Sequence, residues 1–273
     1  MDAAGPRFDR PLVVTIGAMK AGTSSLHAWM ALHPELAMSF KKELNYFTHA
    51  TPPLGGIHRY KLSFPLTGRI CGESSVNYAK HPLFAGVPER MAAEVPRARL
   101  VYVLRDPIAR ILSHYRHNLS HGRETRSMHE ALRPGADNKY VATSRYHDQL
   151  TRFLKHYDRS QVLLVDFAEL RDTPLVTLRR VFEFVGVDPD VQHEGMGRVH
   201  HDSSKKGQPN ALGRPIATIP GVRHLRYALP QVFEKPLPKP ELPDDLRASL
   251  QDALRADVEA LRVESGLALD WGF

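Results

Sequence analysis

A lysine and three hydroxyl side chains accompany two glycines near the start of the chain, in the run GAMKAGTSS at positions 17–25. The apolar run Leu12–Ile16 predicts a buried strand before this loop, and the pattern after it predicts a helix from Thr23 to about Leu32. Glycines let successive backbone N–H groups turn inward, and the first turn of a helix adds partial positive charge. Together with the charge of Lys20, this arrangement predicts a binding site for a phosphate or a sulfate.

The two glycines of this loop have the spacing of a Walker A motif, G-x-x-x-x-G-K-[ST]. Thr23 stands where the Walker lysine belongs, and the lysine lies inside the loop at position 20. A nucleoside-triphosphate enzyme needs that lysine on the terminal phosphates and a hydroxyl on magnesium. The displaced lysine therefore disfavours a kinase-like enzyme with an atypical loop, but Asp166 at the end of QVLLVD keeps that alternative open. A simple strand-to-helix turn without a ligand is another.

A second candidate anion site follows the predicted strand RLVYVL at 99–104. The strand ends in Arg105, and Asp106 and Pro107 have the residue types that begin a helix. An arginine at the carboxyl end of a parallel strand lies at the rim where α/β proteins bind ligands. Ser113 follows about two helical turns later, so the two side chains together could hold one phosphate.

These two motifs together resemble those of the sulfotransferases that use 3′-phosphoadenosine 5′-phosphosulfate (PAPS). The first loop is similar to their 5′-phosphosulfate loop, and LRDPIARILSHY is similar to their 3′-phosphate motif, R-D-P-x-x-R-x-x-S-x-Y. The resemblance is greatest to the carbohydrate-type and bacterial branch, which includes heparan sulfate sulfotransferase domains. It extends over nearly the whole chain, through KKELNYF at 41–47, GESSVNY at 72–78, VLLVDFAELRDTP at 162–174, SSKKG at 203–207 and the terminal helix before Trp271.

The resemblance implies a role for each matching residue of the donor site. Lys20 would hold the 5′-phosphosulfate and stabilise charge on the bridging oxygen, while Arg105 and Ser113 would bind the 3′-phosphate. Tyr146 matches an aromatic position near the donor. The 5′-phosphate would be bound by the backbone amides of Ala21, Gly22, Thr23, Ser24 and Ser25. A loop would close over the nucleotide through the side chains of Ser204, Lys205 and Lys206.

Glu43 is the candidate general base, because in KKELNYF it occupies the acidic position of the family motif K-E-x-x-[FY]-F. A glutamate there can take the proton from an acceptor hydroxyl as its oxygen attacks sulfur. The alternatives are a surface carboxylate paired with Lys41 or Lys42, or a base among the 15 histidines. Glu73 and Tyr78 are candidate acceptor-side residues, or otherwise a strand-end carboxylate and a packing aromatic.

The predicted function is transfer of the sulfonyl group of PAPS to a hydroxyl or amine of a carbohydrate, lipid or specialised-metabolite acceptor. Such a reaction needs in-line positioning and cationic stabilisation of the leaving oxygen, and we expect no metal. A catalytically inactive nucleotide-binding protein is an alternative from a different class. Basic residues in two irregular, polar stretches, 47–68 and 122–143, would favour an anionic acceptor; they are His58, Arg59, Lys61, Arg123 and Lys139.

Short β-rich runs alternate with helical patterns along the chain, which predicts βαβ units. The predicted class is α/β, a P-loop-containing three-layer fold with a central, mostly parallel sheet flanked by helices, forming a single domain over 1–273. The pattern predicts further helices over 144–157, 175–185 and 244–264, and a strand over 161–166. Residues 193–211 are expected to form a loop, and the proline-rich stretch 229–243 to be extended.

The composition is typical of a folded protein and favours the binding of anions. The chain has 273 residues, 42% of them hydrophobic, and a formal net charge of +7, which favours anionic partners. Dispersed basic residues argue against nucleic acid. Cys71 is the only cysteine, the N-terminal residues lack a signal-like apolar core, and no apolar run suits membrane insertion. We therefore expect a cytoplasmic protein without membrane insertion, and its oligomeric state stays open.

Overall fold

The structure, a computed structural model, describes residues 8–135, 138–198, 208–209, 234–235 and 241–273. Its centre is a five-stranded sheet in the order β2-β3-β1-β4-β5, with every neighbouring pair parallel. The strands are β1 (Leu12–Gly17), β2 (Leu36–Met38), β3 (Ile70–Ser74), β4 (Arg99–Leu104) and β5 (Val162–Asp166). This topology confirms the predicted, mostly parallel sheet.

The central strands are nearly continuous apolar runs. Every residue of β1 is buried, and in β4 only Arg99 is exposed. Such runs are typical of parallel strands whose two faces are both covered by helices. Because β1 lies between β3 and β4, the carboxyl ends of these three strands meet at one edge of the sheet.

Ten α-helices lie in the described part of the chain. They are α1 (Thr23–Met30), α2 (Gly56–Lys61), α3 (Val87–Glu94), α4 (Pro107–Ser120), α5 (Met128–Leu132), α6 (Lys139–Ala142), α7 (Tyr146–Leu154), α8 (Phe167–Asp172), α9 (Pro174–Val185) and α10 (Asp244–Ser265). Short 3₁₀ turns cover Tyr46–Thr48 and Arg159–Gln161, and β6 (Gln208–Pro209) pairs antiparallel with β7 (Glu234–Lys235).

Several predicted boundaries are confirmed. Strand β4 has the predicted ends, and α4 begins at Pro107, with the Asp106 carboxylate accepting from the Ala109 N–H at 2.6 Å. Helix α9 ends at Gly186, whose φ of 81° lies in the left-handed region that favours glycine. The helix predicted over 144–157 is shorter, because α7 covers only Tyr146–Leu154.

The two stretches predicted to be irregular contain helices, so that prediction is wrong. Helix α2 lies within 47–68, and α5 and α6 lie within 122–143. Side-chain caps explain the latter pair: Ser127 and Glu130 form a reciprocal capping box at the start of α5, and Asn138 accepts from the first turn of α6. Strand β2 and helix α3 also had no counterpart among the predicted elements.

The chain divides into two compact units. The first comprises Met1–Arg105, Arg145–His201 and Asp257–Gly272 and contains the five-stranded sheet. The second comprises Asp106–Ser144, Asp202–Ala256 and Phe273. Its apolar cluster joins α4, α5, α6 and the first half of α10, through residues such as Ile111, Leu132, Tyr140 and Leu250. The single-domain assignment stays a prediction.

In the described part of the chain, no helix combines the length and apolar character that crossing a membrane requires. Cys71 is a buried free thiol in β3, and burial raises its pKa to about 11. The predicted loop at 193–211 and the extended stretch at 229–243 lie mostly outside the described residues.

Candidate active site at the carboxyl edge of the sheet

The loop after β1 has a backbone shaped for an anion. Lys20 and Gly22 have φ values of 74° and 82°, and Gly22 precedes α1 as its N-cap residue. Neither a side-chain cap nor an acidic residue serves the first turn of α1, although the Ser25 N–H donates to the Gly22 carbonyl at 3.0 Å. The start of a helix carries partial positive charge and therefore suits an anionic ligand. A Cβ at Gly22 would lie 3.0 Å from the Phe167 ring, so glycine is required there.

Arg105 connects the end of β4 to this loop. Its Nη1 donates to the Lys20 carbonyl at 2.9 Å, and its guanidinium carbon lies 4.8 Å from the centroid of the Phe167 ring. The Ala18 N–H also donates to the Val103 carbonyl at 2.7 Å. The structure therefore brings together Lys20 and Arg105, which are 85 residues apart in sequence.

Glu43 lies in a loop held against the end of β3. Its backbone N–H donates to the Ser74 carbonyl, and its Oε2 accepts from the Val76 N–H, both at 2.9 Å. Its Oε1 forms an ion pair with Lys42, and 32% of the Glu43 side chain stays exposed. The suggested pairing with a neighbouring lysine is thus present, alongside main-chain contacts that orient the carboxylate.

Glu73 and Tyr78, the candidate acceptor-side residues, lie in the interior of the first unit, 0% and 1% exposed. Glu73 Oε1 accepts from the hydroxyls of Tyr60 at 2.7 Å and Tyr78 at 2.9 Å, and its Oε2 accepts from the Ser75 hydroxyl at 2.8 Å. Burial raises the pKa of Glu73 to about 7, against the lowering effect of these hydrogen bonds. Their acceptor-side role stays a prediction.

The structure adds polar residues that the motif analysis did not single out. His27 Nδ1 lies 3.0 Å from Ser74 Oγ, and burial lowers the pKa of this imidazole to about 4. Nearby, Lys80 Nζ donates to Asn77 Oδ1 at 2.7 Å and lies 3.0 Å from the sulfur of Met19 in the loop after β1. The only sequence signal for them was their position inside or beside the recognised motifs.

The remaining predicted donor-site residues belong to different parts of the chain. Ser113 lies on α4 in the second unit. Tyr146 begins α7 in the first unit, where it is buried, with ring centroids 5.9 Å from those of Tyr102 and of Trp271. The three residues expected to close over the nucleotide, Ser204, Lys205 and Lys206, lie outside the described residues.

Two further observations concern the possible Walker B residue and the side chains that could hold a metal ion. Asp166, the possible Walker B residue, instead caps α8, because its carboxylate accepts from the Ala168 N–H at 3.1 Å. Burial raises the pKa of this carboxyl group. Within the ranges that the structure describes, no three His, Cys, Asp or Glu side chains form a group able to hold a metal ion.

Comparison with known proteins identifies similar sequences. Residues 56–191 match the profile described as the sulfotransferase family. The human bifunctional heparan sulfate N-deacetylase/N-sulfotransferase 2 is 28% identical over 232 residues, covering 75% of this chain and 26% of that protein. The Caenorhabditis elegans bifunctional heparan sulfate N-deacetylase/N-sulfotransferase 1 is 24% identical over 266 residues, covering 92% of this chain and 29% of the relative. The chain thus spans a little more than a quarter of these relatives.

A solved structure agrees in fold. A sulfotransferase from Alicyclobacillus acidocaldarius matches with a TM-score of 0.68 at 25% identity, over 96% of this chain and 98% of that one. The match confirms the predicted P-loop-containing fold with its central parallel sheet.

Proposed function

Since this chain belongs to the sulfotransferase family, we propose that it moves the sulfonyl group of PAPS to a hydroxyl or an amine of an acceptor. The observation that carries the proposal is the hydrogen bond from Arg105 to the Lys20 carbonyl. It joins the two motifs that resemble donor-binding motifs, at the edge of the sheet where α/β proteins bind ligands.

The residues of the loop after β1 fit the donor chemically. Backbone amides from Ala21 to Ser25 would bind the 5′-phosphate, because the start of α1 offers N–H groups and no carboxylate. The amides of Ala21 and Ser25 also donate to the Ala18 and Gly22 carbonyls of the same loop. Lys20 would neutralise the charge that grows on the bridging oxygen. Arg105 and Ser113 are assigned to the 3′-phosphate by the family resemblance, as is Tyr146 to the nucleotide and the segment Ser204–Lys206 to a covering loop.

In the proposed step, a lone pair of the acceptor oxygen or nitrogen forms a bond to sulfur. The bond between sulfur and the bridging oxygen of the 5′-phosphate breaks, and its electron pair stays on that oxygen beside Lys20. The acceptor proton passes to the Glu43 carboxylate, which is oriented by the Val76 N–H and keeps a partly exposed face. The products are a sulfated acceptor and adenosine 3′,5′-bisphosphate.

The acceptor class is a carbohydrate, a lipid or a specialised metabolite. A glycan amine is the first acceptor to test, because the relatives named above are heparan sulfate N-sulfotransferases. Location in the cytoplasm belongs to the proposal as well, since a chain with one cysteine has no internal disulfide of the kind typical of secreted proteins.

The experiment is a transfer assay with PAPS carrying a ³⁵S label, run without added metal on glycans that contain free amines and on their N-acetylated counterparts. We expect label to pass to at least one acceptor and adenosine 3′,5′-bisphosphate to form in equal amount. Donor that binds but is neither transferred nor slowly hydrolysed, across glycan, lipid and metabolite acceptors, would instead support an inactive nucleotide-binding protein.

A further inference from the structure

We propose that Glu73 is a positioning residue for Glu43 and acts on it through Ser75 and Asn45. The inference rests on the proposed function, because it takes Glu43 as the base that receives the acceptor proton. Glu73 itself is fully buried, so it would act on the acceptor only through the loop that carries Glu43.

The first step of the argument is the direction of the Ser75 hydroxyl. A hydroxyl has one hydrogen to donate, and Ser75 donates it to Glu73 Oε2 at 2.8 Å. Its lone pairs are then free to accept, and the Asn45 backbone N–H donates to the same oxygen at 3.0 Å. The other carboxylate oxygen, Oε1, accepts from the hydroxyls of both Tyr60 and Tyr78, so that loss of the Tyr60 hydroxyl alone leaves it anchored by Tyr78. The carboxylate therefore dictates the orientation in which Ser75 can hold Asn45.

The second step is the conformation of the loop that Asn45 belongs to. Glu43 and Asn45 have φ values of 65° and 54°, in the left-handed region that is uncommon for residues other than glycine, although asparagine adopts it more readily than glutamate. Such a backbone conformation persists where several surrounding contacts hold it in place. Asn45 supplies them: its N–H donates to Ser75, its Nδ2 donates to the Glu43 carbonyl at 3.0 Å, and its Oδ1 accepts from Asn77 at 3.0 Å.

The third step connects this loop to the donor side. The Ser74 carbonyl accepts from the Glu43 N–H, and the Ser74 hydroxyl lies 3.0 Å from His27 on α1. Helix α1 begins directly after the anion-binding loop. The residues that follow Glu73 therefore set the position of the base relative to the loop that would hold the donor. Because small misplacements of reacting groups cost about 100-fold in rate, this control should be visible in catalysis.

The test compares Ser75→Ala and Glu73→Gln with Tyr60→Phe. Tyr60→Phe removes one hydrogen bond to the same carboxylate but keeps the ring that packs on Phe47 and leaves the bond from Asn45 to Ser75 in place. We expect kcat to fall about 10- to 100-fold in the first two variants and about two-fold or less in the control. Affinity for adenosine 3′,5′-bisphosphate should stay within about two-fold throughout, and Ser75→Thr, which keeps the hydroxyl, should recover kcat.

A double-mutant cycle with Glu43→Gln separates positioning from general destabilisation. If Ser75 acts through Glu43, adding Ser75→Ala to Glu43→Gln should lower kcat no further. Equal fold losses in both backgrounds, or Ser75→Ala and Glu73→Gln proteins that fold and turn over like Tyr60→Phe, would overturn the inference while leaving Glu43 as the base. An unchanged rate in Glu43→Gln alone would instead overturn the base assignment in the proposed function, and this inference with it.

Discussion

At the scale of single residues, the candidate site depends on Lys20, which has a positively charged side chain and an uncommon, left-handed backbone conformation. Its φ is 74°, and its carbonyl is held by Arg105. The sequence indicated both residues through their motifs, since a lysine between two glycines and an arginine at a strand end are local patterns. It could not show the hydrogen bond between them, because that contact depends on β1 and β4 being neighbours in the sheet.

Lys20→Ala should lower kcat by at least about 100-fold, because it removes the cation proposed to stabilise the leaving oxygen. It should also weaken binding of adenosine 3′,5′-bisphosphate. The measurement is initial rate of label transfer from PAPS together with calorimetry. Lys155→Ala, at the exposed end of α7, is the matched control and should behave like the parent protein. Near-normal turnover of Lys20→Ala would contradict the assigned role.

Arg105→Ala should weaken binding of the 3′-phosphate more than binding of the rest of the nucleotide. Loss of a hydrogen bond to a charged group costs roughly 1.5–3 kcal/mol. The affinity for adenosine 3′,5′-bisphosphate should therefore drop about 10- to 100-fold, and the affinity for adenosine 5′-phosphate much less. Arg171→Ala is the control, because this exposed arginine also faces the Phe167 ring, at 6.0 Å. An equal loss for both nucleotides would show that Arg105 acts only by holding the Lys20 carbonyl.

At the scale of elements, long apolar or strongly periodic segments were predictable and short ones were not. Strand β4 and helix α9 carry patterns of at least six residues, and their predictions are confirmed. Strand β2 has only three residues, and α2, with six, has fewer than two helical turns, so neither shows its period in the sequence. Sequence also placed Glu73 at a strand end without indicating its partner Tyr60, which reaches it from α2.

The buried carboxyl group of Glu73 predicts a specific dependence of stability on pH. Its pKa in the folded protein is about 7, above the ordinary value of 4.5, because of burial. The folded state therefore holds a proton that the unfolded state releases, and the free energy of unfolding falls as pH rises from about 4.5 to about 7. A shift of this size corresponds to about 3 kcal/mol.

The Glu73→Gln variant has no titrating group at this position, so its free energy of unfolding, relative to that of the parent protein, should rise by about 2–3 kcal/mol as pH increases from 5 to 8. The measurement is chemical denaturation of both proteins at a series of pH values. Curves that run parallel across this range would show that Glu73 is already ionised in the folded protein at pH 5.

At the scale of the whole molecule, the sequence was sufficient for the fold class and the family but not for the internal division of the chain. The parallel sheet, the loop after β1 and the end of β4, which carry the proposed donor-binding residues Lys20 and Arg105, belong to the first unit, whereas Ser113 belongs to the second. That division follows from contacts distant in sequence, which no local pattern reports. Local patterns do not identify the acceptor either, since the stretches 47–68 and 122–143, expected to be irregular, contain helices α2, α5 and α6.

The central claim is that the site recognises a nucleotide with a 3′-phosphate, and calorimetric titration of metal-free protein tests it most directly. We expect adenosine 3′,5′-bisphosphate to bind at least about 10-fold more tightly than adenosine 5′-phosphate, from one charge-assisted contact. ATP with magnesium should bind weakly or not at all. Preference for ATP with magnesium, or no discrimination by the 3′-phosphate, would contradict the sulfotransferase account and favour a kinase-like enzyme.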